Sequence, residues 1–230
     1  MAIVLVVRHG QASFGADDYD VLSEIGWEQG RCLGAHLAAS GVRPVAVVRG
    51  GMRRHRETAE ALLEGLGSVP VGVDERWDEF DHLGVVAAHP DLPQGGTAAL
   101  DRREFQRVFV ESTRRWALDE DESSTAFPET FGAFAARSRE ALAAACEQAT
   151  EAEAGGVVVV VSSGGPIGVV AADLVDPDGA DRATLARLWE RFNTVCVNSA
   201  VTRVLVGSSG RRLLTFNEHA HLDRRLTTYR

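Results

Sequence analysis

The fold is decided by the stretch IVLVVRHG at residues 3–10. Its first five residues are all β-branched or leucine, a run typical of a strand that is buried on both faces. The run ends abruptly in Arg8, His9 and Gly10. A polar turn directly after a buried strand lies at the carboxyl edge of an open α/β sheet, where such folds bind ligands. The stretch therefore predicts a central strand of a mostly parallel sheet and a functional edge beside it.

Strand-like and helix-like segments alternate along the rest of the chain. We predict further strands at 45–48, 69–73 and 157–161, a hairpin from 195–206 and 211–216, and helices at 23–40, 52–66, 98–118, 130–153, 166–176 and 181–192. This alternation predicts an α/β three-layer sandwich, with a mostly parallel central sheet flanked by helices. The stretch 84–128 breaks the rhythm. We interpret it as an insertion over the site at the strand ends, within a single domain that spans residues 1–230.

Three glycines repeat every four residues in the first predicted helix, at Gly26, Gly30 and Gly34. They share one face of that helix. Each glycine weakens a helix by up to about 1 kcal/mol relative to alanine. We expect close packing of this helix on the sheet to compensate.

Composition excludes several functional classes. The chain has 230 residues, of which 45% are apolar, enough for a sizeable core. Its net charge of −9 argues against nucleic-acid binding. All basic residues are arginine, which excludes a Walker A lysine and a pyridoxal Schiff base. The three cysteines are far apart in apolar runs, which predicts buried free thiols.

The apolar run at the start is too short for a signal peptide and has no basic residues before it. No apolar stretch approaches the length of a membrane span. We therefore expect a soluble cytoplasmic protein without a membrane partner.

A second polar stretch, GGMRRHRETA at residues 50–59, also follows a predicted strand and opens a helix. Arg54 lies in the first turn, where the helix dipole favours anions rather than cations. An arginine is accommodated there if it holds an anionic ligand. The alternative is an exposed basic cluster formed by Arg54 with Arg53 and Arg56.

Two further stretches complete the set at the ends of predicted strands. WDEF at residues 77–80 places Glu79 between large apolar residues, which suits a general acid, although an exposed loop glutamate is the alternative. VSSGGPI at residues 161–167 leaves backbone N–H groups free at a helix start, as in an anion-binding nest. A tight turn selected only for packing is the alternative for this stretch.

Together the four stretches resemble the histidine phosphatase superfamily, also called phosphoglycerate-mutase-like. Arg8-His9-Gly10 is similar to the family signature, and residues 51–59 resemble its Pro-Leu-x-Arg-Ala-x-x-Thr-Ala block. Weaker likenesses occur at residues 22–26, 129–137 and 217–222. The resemblance covers nearly the whole chain except the predicted insertion.

The resemblance implies a covalent mechanism that requires neither a metal nor a cofactor. His9 would attack a phosphate ester as a neutral imidazole and become phosphohistidine, while Arg8 and Arg54 neutralise the phosphoryl oxygens. Glu79 would protonate the leaving alcohol and then activate water, with Asp78 or Asp81 as the next candidates. A small phosphorylated substrate would be contacted by Gly10, Gln11, Ser13, Ser163 and Gly164. The family likeness also leaves room for a homodimer.

One position departs from the family pattern. The family usually has Ser-His-Gly-Gly after the last core strand, and its histidine contacts the phosphoryl group, whereas this chain has Ser163 at that position. Loss of one transition-state donor typically costs about 10²–10³ in rate. We expect measurable but slow hydrolysis, with a rearranged donor set or a phosphate-ester-binding relative of little activity as alternatives.

A phosphoglycerate mutase using the same phosphohistidine is the alternative enzyme. The cofactor-dependent mutases carry a Glu-Arg-His-Tyr-Gly segment around the acid, whereas this chain has ERWDEFDH at residues 75–82. A non-catalytic binding module is disfavoured because binding alone needs neither a nucleophile nor an acid. The sequence therefore favours a phosphomonoester hydrolase.

Overall fold

A computed structural model describes residues 1–13, 20–152, 155–177 and 181–229. Its strands are β1 (Ala2–Arg8), β2 (Pro44–Arg49), β3 (Val71–Val73), β4 (Val157–Ser162), β5 (Val201–Gly207) and β6 (Gly210–Glu218). Its α-helices are α1 (Glu24–Ala39), α2 (Arg53–Leu66), α3 (His82–Ala87), α4 (Arg102–Leu118), α5 (Phe131–Glu151), α6 (Gly164–Val175) and α7 (Arg182–Val195). Short 3₁₀ turns occur at Glu75–Trp77 and Gly96–Ala99.

The strands form one six-stranded sheet in the order β3-β2-β4-β1-β5-β6. The pairs β3–β2, β2–β4 and β4–β1 are parallel, and β1–β5 and β5–β6 are antiparallel. The predicted α/β sandwich with a mostly parallel sheet is therefore confirmed. The parallel pairs place the carboxyl ends of β1, β2 and β4 at one edge.

The two central strands have both faces buried because successive side chains alternate between two helical layers. Val4 and Val6 pack with residues of α5 and α6, whereas Leu5 and Val7 pack with α1 and α2. Register pairs Arg8 with Ser162, so β1 and β4 end side by side. This alignment brings the turns that follow the two strands to the same place.

The glycine face of α1 packs against α2 and not against the sheet, so the predicted packing partner was wrong. A Cβ at Gly34 would collide with the backbone oxygen of Leu62, and one at Gly30 would collide with Ala61. At Gly26 it would collide with the backbone of Gln11. The loss of helix stability caused by these glycines is offset by the close packing of α1 on α2 and on the turn after β1.

Several predicted boundaries also shift. The hairpin begins at β5, because α7 continues to Val195 and a turn precedes Val201, and β3 is two residues shorter than predicted. Cys146 and Cys196 are buried free thiols as expected, but Cys32 is only partly buried. Cys32 contacts the small apolar cluster formed by Val197, Ala200, Leu222 and Leu226 rather than the main core.

The stretch predicted as an insertion is helical, with α3 and α4 joined by a 3₁₀ turn. It is anchored by an aromatic cluster made of Phe80, Trp116, Phe131, Phe134 and Trp189. Because Phe80 follows Glu79 directly, α4 packs beside the predicted general acid. That this stretch covers the site stays a prediction.

Among the described residues, no helix combines the length and the apolar character that a membrane crossing requires.

Candidate active site

His9 lies in the turn directly after β1, at the edge where β1 and β4 end. Its backbone N–H donates to the oxygen of Ser162 at 2.8 Å, and its carbonyl accepts from the amide of Asn198 at 3.1 Å. The ring nitrogen Nδ1 lies 2.7 Å from the carbonyl oxygen of Gly10. A carbonyl only accepts, so Nδ1 carries the hydrogen and Nε2 carries the lone pair.

The His9 ring is almost fully buried. Burial, followed by the positive charges of Arg54 and Arg8 and by His55, lowers the pKa of His9 well below 6.5. Desolvation and nearby cations both disfavour the charged ring. His9 is therefore neutral at physiological pH, the form that can act as a nucleophile.

Two arginines supply the positive charge around His9. Arg54 is buried in the first turn of α2, where its Nη1 donates to Oδ1 of Asp20 at 2.6 Å. Arg8 donates from Nη1 to the carbonyl oxygens of Cys196 and Tyr229, and its buried Nε has no hydrogen-bond partner among the described residues. That nitrogen keeps a donor for an anionic ligand.

The buried position of Arg54 decides between the two interpretations of residues 53–56. Arg53 and Arg56 are exposed and pair with Glu57 and Glu60 one helical turn further on. Arg54 points instead into the protein beside His9. The residues therefore do not form one exposed basic cluster.

Three residues predicted to contact the substrate, Gly10, Gln11 and Ser13, use their backbone N–H groups in hydrogen bonds to other parts of the protein. The N–H of Gly10 donates to Oγ1 of Thr58 at 2.9 Å, and that of Gln11 donates to Oε1 of Gln29 at 2.8 Å. The Gln11 side chain contacts Ser23, and the N–H of Ser13 donates to the oxygen of Val21. Residues 14–19 lie outside the described part of the chain.

Glu79 lies against the first turn of α6, at the same sheet edge. Its Oε2 accepts from the N–H of Gly165 at 3.1 Å, so the carboxylate occupies part of the predicted anion-binding nest. Two hydrogen bonds hold the backbone of its segment. The Ser162 hydroxyl donates to the carbonyl oxygen of Trp77 at 2.7 Å, and Arg137 donates to the carbonyl oxygen of Asp78 at 2.7 Å. The general-acid candidate is thus fixed to the end of β4 and to α5.

Ser163 and Gly164 begin α6 directly after β4. Ser163 occupies the N-cap position, yet its side chain does not cap the helix. Its Oγ lies 2.7 Å from Nε2 of His55 instead. A Cβ on Gly164 would lie 3.8 Å from Nε of Arg8, which places Gly164 near the arginine of the β1 turn.

Sequence reasoning missed His55 as a site residue. This histidine has no exposed surface, and its ring centroid lies 5.7 Å from that of His9. The motif did contain a signal, because the family block has alanine at this position. Relative to the pattern that the sequence resembles, His55 stands where alanine is expected and Ser163 stands where histidine is expected.

Asp78, named from sequence only as a substitute acid, has a different position. Its Oδ1 accepts from the N–H groups of Gly51 and Met52 at 2.6 and 3.3 Å, at the start of α2, and lies 3.5 Å from Nδ1 of His55. Burial raises the pKa of Asp78, but His55 and the two amides lower it further, so the net shift is downward. Asp78 is therefore an ionised partner of His55. Asp81 caps α3 through the N–H of Gly84.

Among the described residues, no group of three or more His, Cys, Asp or Glu side chains is arranged to hold a metal ion.

Comparisons with known proteins agree with this architecture. YhfR of Bacillus stearothermophilus has a TM-score of 0.68 at 20% identity, over 96% of this chain and 99% of that chain. Mycobacterial glucosyl-3-phosphoglycerate phosphatase, in complex with inorganic phosphate, has a TM-score of 0.64 at 26% identity, over 97% and 100%. A mutant phosphoserine phosphatase from Entamoeba histolytica, bound to phosphoserine, has a TM-score of 0.65 at 16% identity, over 96% and 100%.

A search of the curated proteins gives no match. The family model described as histidine phosphatase superfamily (branch 1) matches residues 4–219, nearly the whole chain and all of the strand ends described above. The chain therefore belongs to the histidine phosphatase superfamily.

Proposed function

We propose that the chain is a phosphomonoester hydrolase that acts through a phosphohistidine at His9 on a small phosphorylated metabolite. The observation that carries the proposal is the hydrogen bond between Nδ1 of His9 and the Gly10 carbonyl, at 2.7 Å. It fixes the tautomer in which Nε2 holds the lone pair. Burial and two arginines keep the same ring neutral.

In the first half-reaction, the lone pair on Nε2 of His9 forms a bond to phosphorus as the bond to the ester oxygen breaks. The electron pair of the broken bond leaves on that oxygen, and the carboxyl group of Glu79, protonated at this stage, donates its proton to it. Arg8 and Arg54 offset the negative charge on the phosphoryl oxygens. The alcohol departs, and His9 carries the phosphoryl group.

In the second half-reaction, Glu79 takes a proton from water as the water oxygen attacks phosphorus. The nitrogen–phosphorus bond breaks, and its electron pair returns to Nε2 of His9. Inorganic phosphate leaves and the starting state is restored. General acid–base catalysis of this kind typically contributes 10²- to 10⁴-fold in rate.

The positions of Arg8 and Glu79 support these roles. Arg8 has a buried Nε without a partner among the described residues, ready for an anion. Glu79 rests on the N–H of Gly165, a donor that an arriving phosphoryl group can compete for. When a phosphoryl group displaces Glu79 from that amide, the carboxyl group of Glu79 becomes available to the leaving oxygen.

The test is a panel of phosphomonoesters with detection of free phosphate. The panel includes glucosyl-3-phosphoglycerate and phosphoserine, since these substrates name two of the structural relatives. Hydrolysis without an acceptor supports the proposal. Transfer only in the presence of a bisphosphate cofactor identifies a mutase, and binding without either reaction identifies a binding module.

The panel is repeated with His9→Ala and with His89→Ala, a control in the segment between α3 and α4. We expect His9→Ala to lower kcat by several orders of magnitude and to abolish acid-labile phosphate on the protein. His89→Ala should behave as the wild type. Unchanged turnover in a folded His9→Ala variant would rule out the mechanism.

A further inference from the structure

His55 is the buried titratable group that the mechanism above does not use. The groups that face it are His9 from the turn after β1, Arg54 from its own helix, Asp78 from the segment before α3 and Asp20 from the loop before α1. The remaining polar contact is the Ser163 hydroxyl at the end of β4. Every one of these elements belongs to the edge where His9 lies.

Both nitrogens of His55 face a polar partner. Nδ1 lies 3.5 Å from the carboxylate of Asp78, and Nε2 lies 2.7 Å from Oγ of Ser163. Among the described residues Nδ1 has no hydrogen-bond partner, and the Asp78 carboxylate faces it only at this longer distance. A lone pair on Nδ1 would be repelled by the carboxylate, so a neutral His55 carries its hydrogen on Nδ1, and Nε2 accepts the hydroxyl hydrogen of Ser163. In this state the serine presents lone pairs to its surroundings.

The chain leaves space for this arrangement. A Cβ at Gly50, the residue directly after β2, would collide with the imidazole of His55 and with the carboxylate of Asp78. Ser163 is the N-cap residue of α6, but its side chain makes no capping hydrogen bond to that helix. The missing Cβ at Gly50 makes room for the ring, and the uncapped start of α6 leaves the Ser163 hydroxyl for His55.

Ser163 is close enough to His9 to matter for the reaction. Arg8 pairs with Ser162 across β1 and β4, and the N–H of His9 donates to the Ser162 oxygen at 2.8 Å. Ser163 follows Ser162 directly in the chain. A phosphoryl group on His9 would therefore lie beside the serine that His55 contacts.

We propose that Asp78, His55 and Ser163 form a relay in which a proton on His55 turns the Ser163 hydroxyl into a hydrogen-bond donor to the phosphoryl group. The relay rests on the proposed function, since it requires a phosphoryl group or similar anion beside His9. When His55 gains a proton, Nε2 donates to Oγ, and the hydroxyl hydrogen becomes available to the anion. No covalent bond to phosphorus changes in this step, and the proton comes from solvent.

Charge favours such a response to an anion. Burial lowers the pKa of His55, which favours the neutral ring, while Asp78 opposes that shift. A dianion bound nearby would raise the pKa of the same ring by attraction. Anion binding and proton uptake by His55 are therefore linked, and His55 acts as a positioning residue through Ser163.

The test measures sulfate binding by calorimetry between about pH 5 and pH 8, where sulfate keeps its charge while histidine titrates. The proteins are wild type, His55→Gln, Ser163→Ala and the double variant. In wild type, His55 should add up to about tenfold in affinity per unit fall in pH, the limit for uptake of one proton, on top of the contribution of His9. Protonation of His9 contributes to the slope of affinity against pH in all four proteins. The contribution of the relay is therefore the difference in slope between wild type and each variant.

His55→Gln should keep sulfate affinity near neutral pH but flatten its pH dependence, because an amide can donate to Ser163 Oγ at every pH. Ser163→Ala should flatten it as well, since the link to the anion is gone. The double variant should match Ser163→Ala, because residues that act in one chain do not add. Ser163→Ala also carries the test if His55→Gln does not fold.

Equal pH slopes in wild type and in both single variants would overturn the relay, as would additive effects or a lack of sulfate binding at every pH. The readout needs no turnover, so it separates the two proposals. Slope differences without ester hydrolysis would uphold the relay and reject the hydrolase. Hydrolysis with equal slopes would do the reverse.

Discussion

The end of β1 and the first turns of α2 each bury a histidine at the same sheet edge, but they surround it differently. His9 has a backbone carbonyl on Nδ1 and two arginines nearby. His55 has a carboxylate beside one nitrogen and a hydroxyl on the other. Both rings have lowered pKa values through burial. The partners of each nitrogen, rather than burial, therefore distinguish the proposed nucleophile from the proposed positioning residue.

The largest effect that would sharpen this comparison comes from the charge next to His9. Arg54→Ala should lower kcat by about 10²–10³, the usual loss when one transition-state donor is removed. Its matched control is Arg53→Ala, one residue earlier and exposed, which should stay within a few fold. Steady-state kinetics on the same ester measure both. Similar small losses would mean that the charge of Arg54 is not used in the reaction.

An exchange of histidines would test whether the two regions are alternatives. Ser163→His alone should lower kcat by about tenfold or more, because the added ring has no room beside His55 and overpacking costs about 1–3 kcal/mol. Combining it with His55→Ala should restore part of the activity by opening that space. The four kcat values of the cycle give the coupling. A higher kcat for Ser163→His alone would mean that His55 can move aside.

A smaller effect concerns stability at low pH. Burial lowers the pKa of His9 and His55, and burial together with His36 lowers that of His221 to about 4. The unfolded chain binds these protons near pH 6.5 and the folded chain does not, so stability falls as pH falls below about 6.5. Urea unfolding at about pH 7 and pH 5 should show the loss.

The matched variant for this prediction is His221→Asn, which should reduce the difference in midpoint between the two pH values. His89→Asn is the control. If His221→Asn leaves the difference unchanged, the protonation that destabilises the fold occurs elsewhere.

The sequence predicts the central strands and the position of His9 at the sheet edge because those signals are local, while the role of His9 stays a prediction. Five consecutive apolar residues before Arg8 define a buried strand, and its end defines the edge of the sheet. Glu79 and Arg54 follow other strands, so the same rule brings them to the same edge. Here the sequence pattern and the family resemblance agree.

Contacts between distant segments are not predicted in this way. Asp78 reaches the start of α2 from beyond β3, and that contact is what gives His55 an ionised partner. The spacing of Gly30 and Gly34 reveals a face without side chains, but it does not tell whether a sheet or a helix packs there. Both depend on how segments pair in three dimensions, which periodicity does not encode.

The glycine face of α1 has a consequence for how mutations act at a distance. Gly30 and Gly34 bring α1 against α2, and Gly26 brings it against Gly10. The helix that carries Arg54 and the turn that carries His9 therefore both pack directly against α1. A single added methyl group at Gly34 would push α1 away from the backbone of Leu62 and so shift α2 relative to the turn after β1, which would disturb the site from a position remote from it.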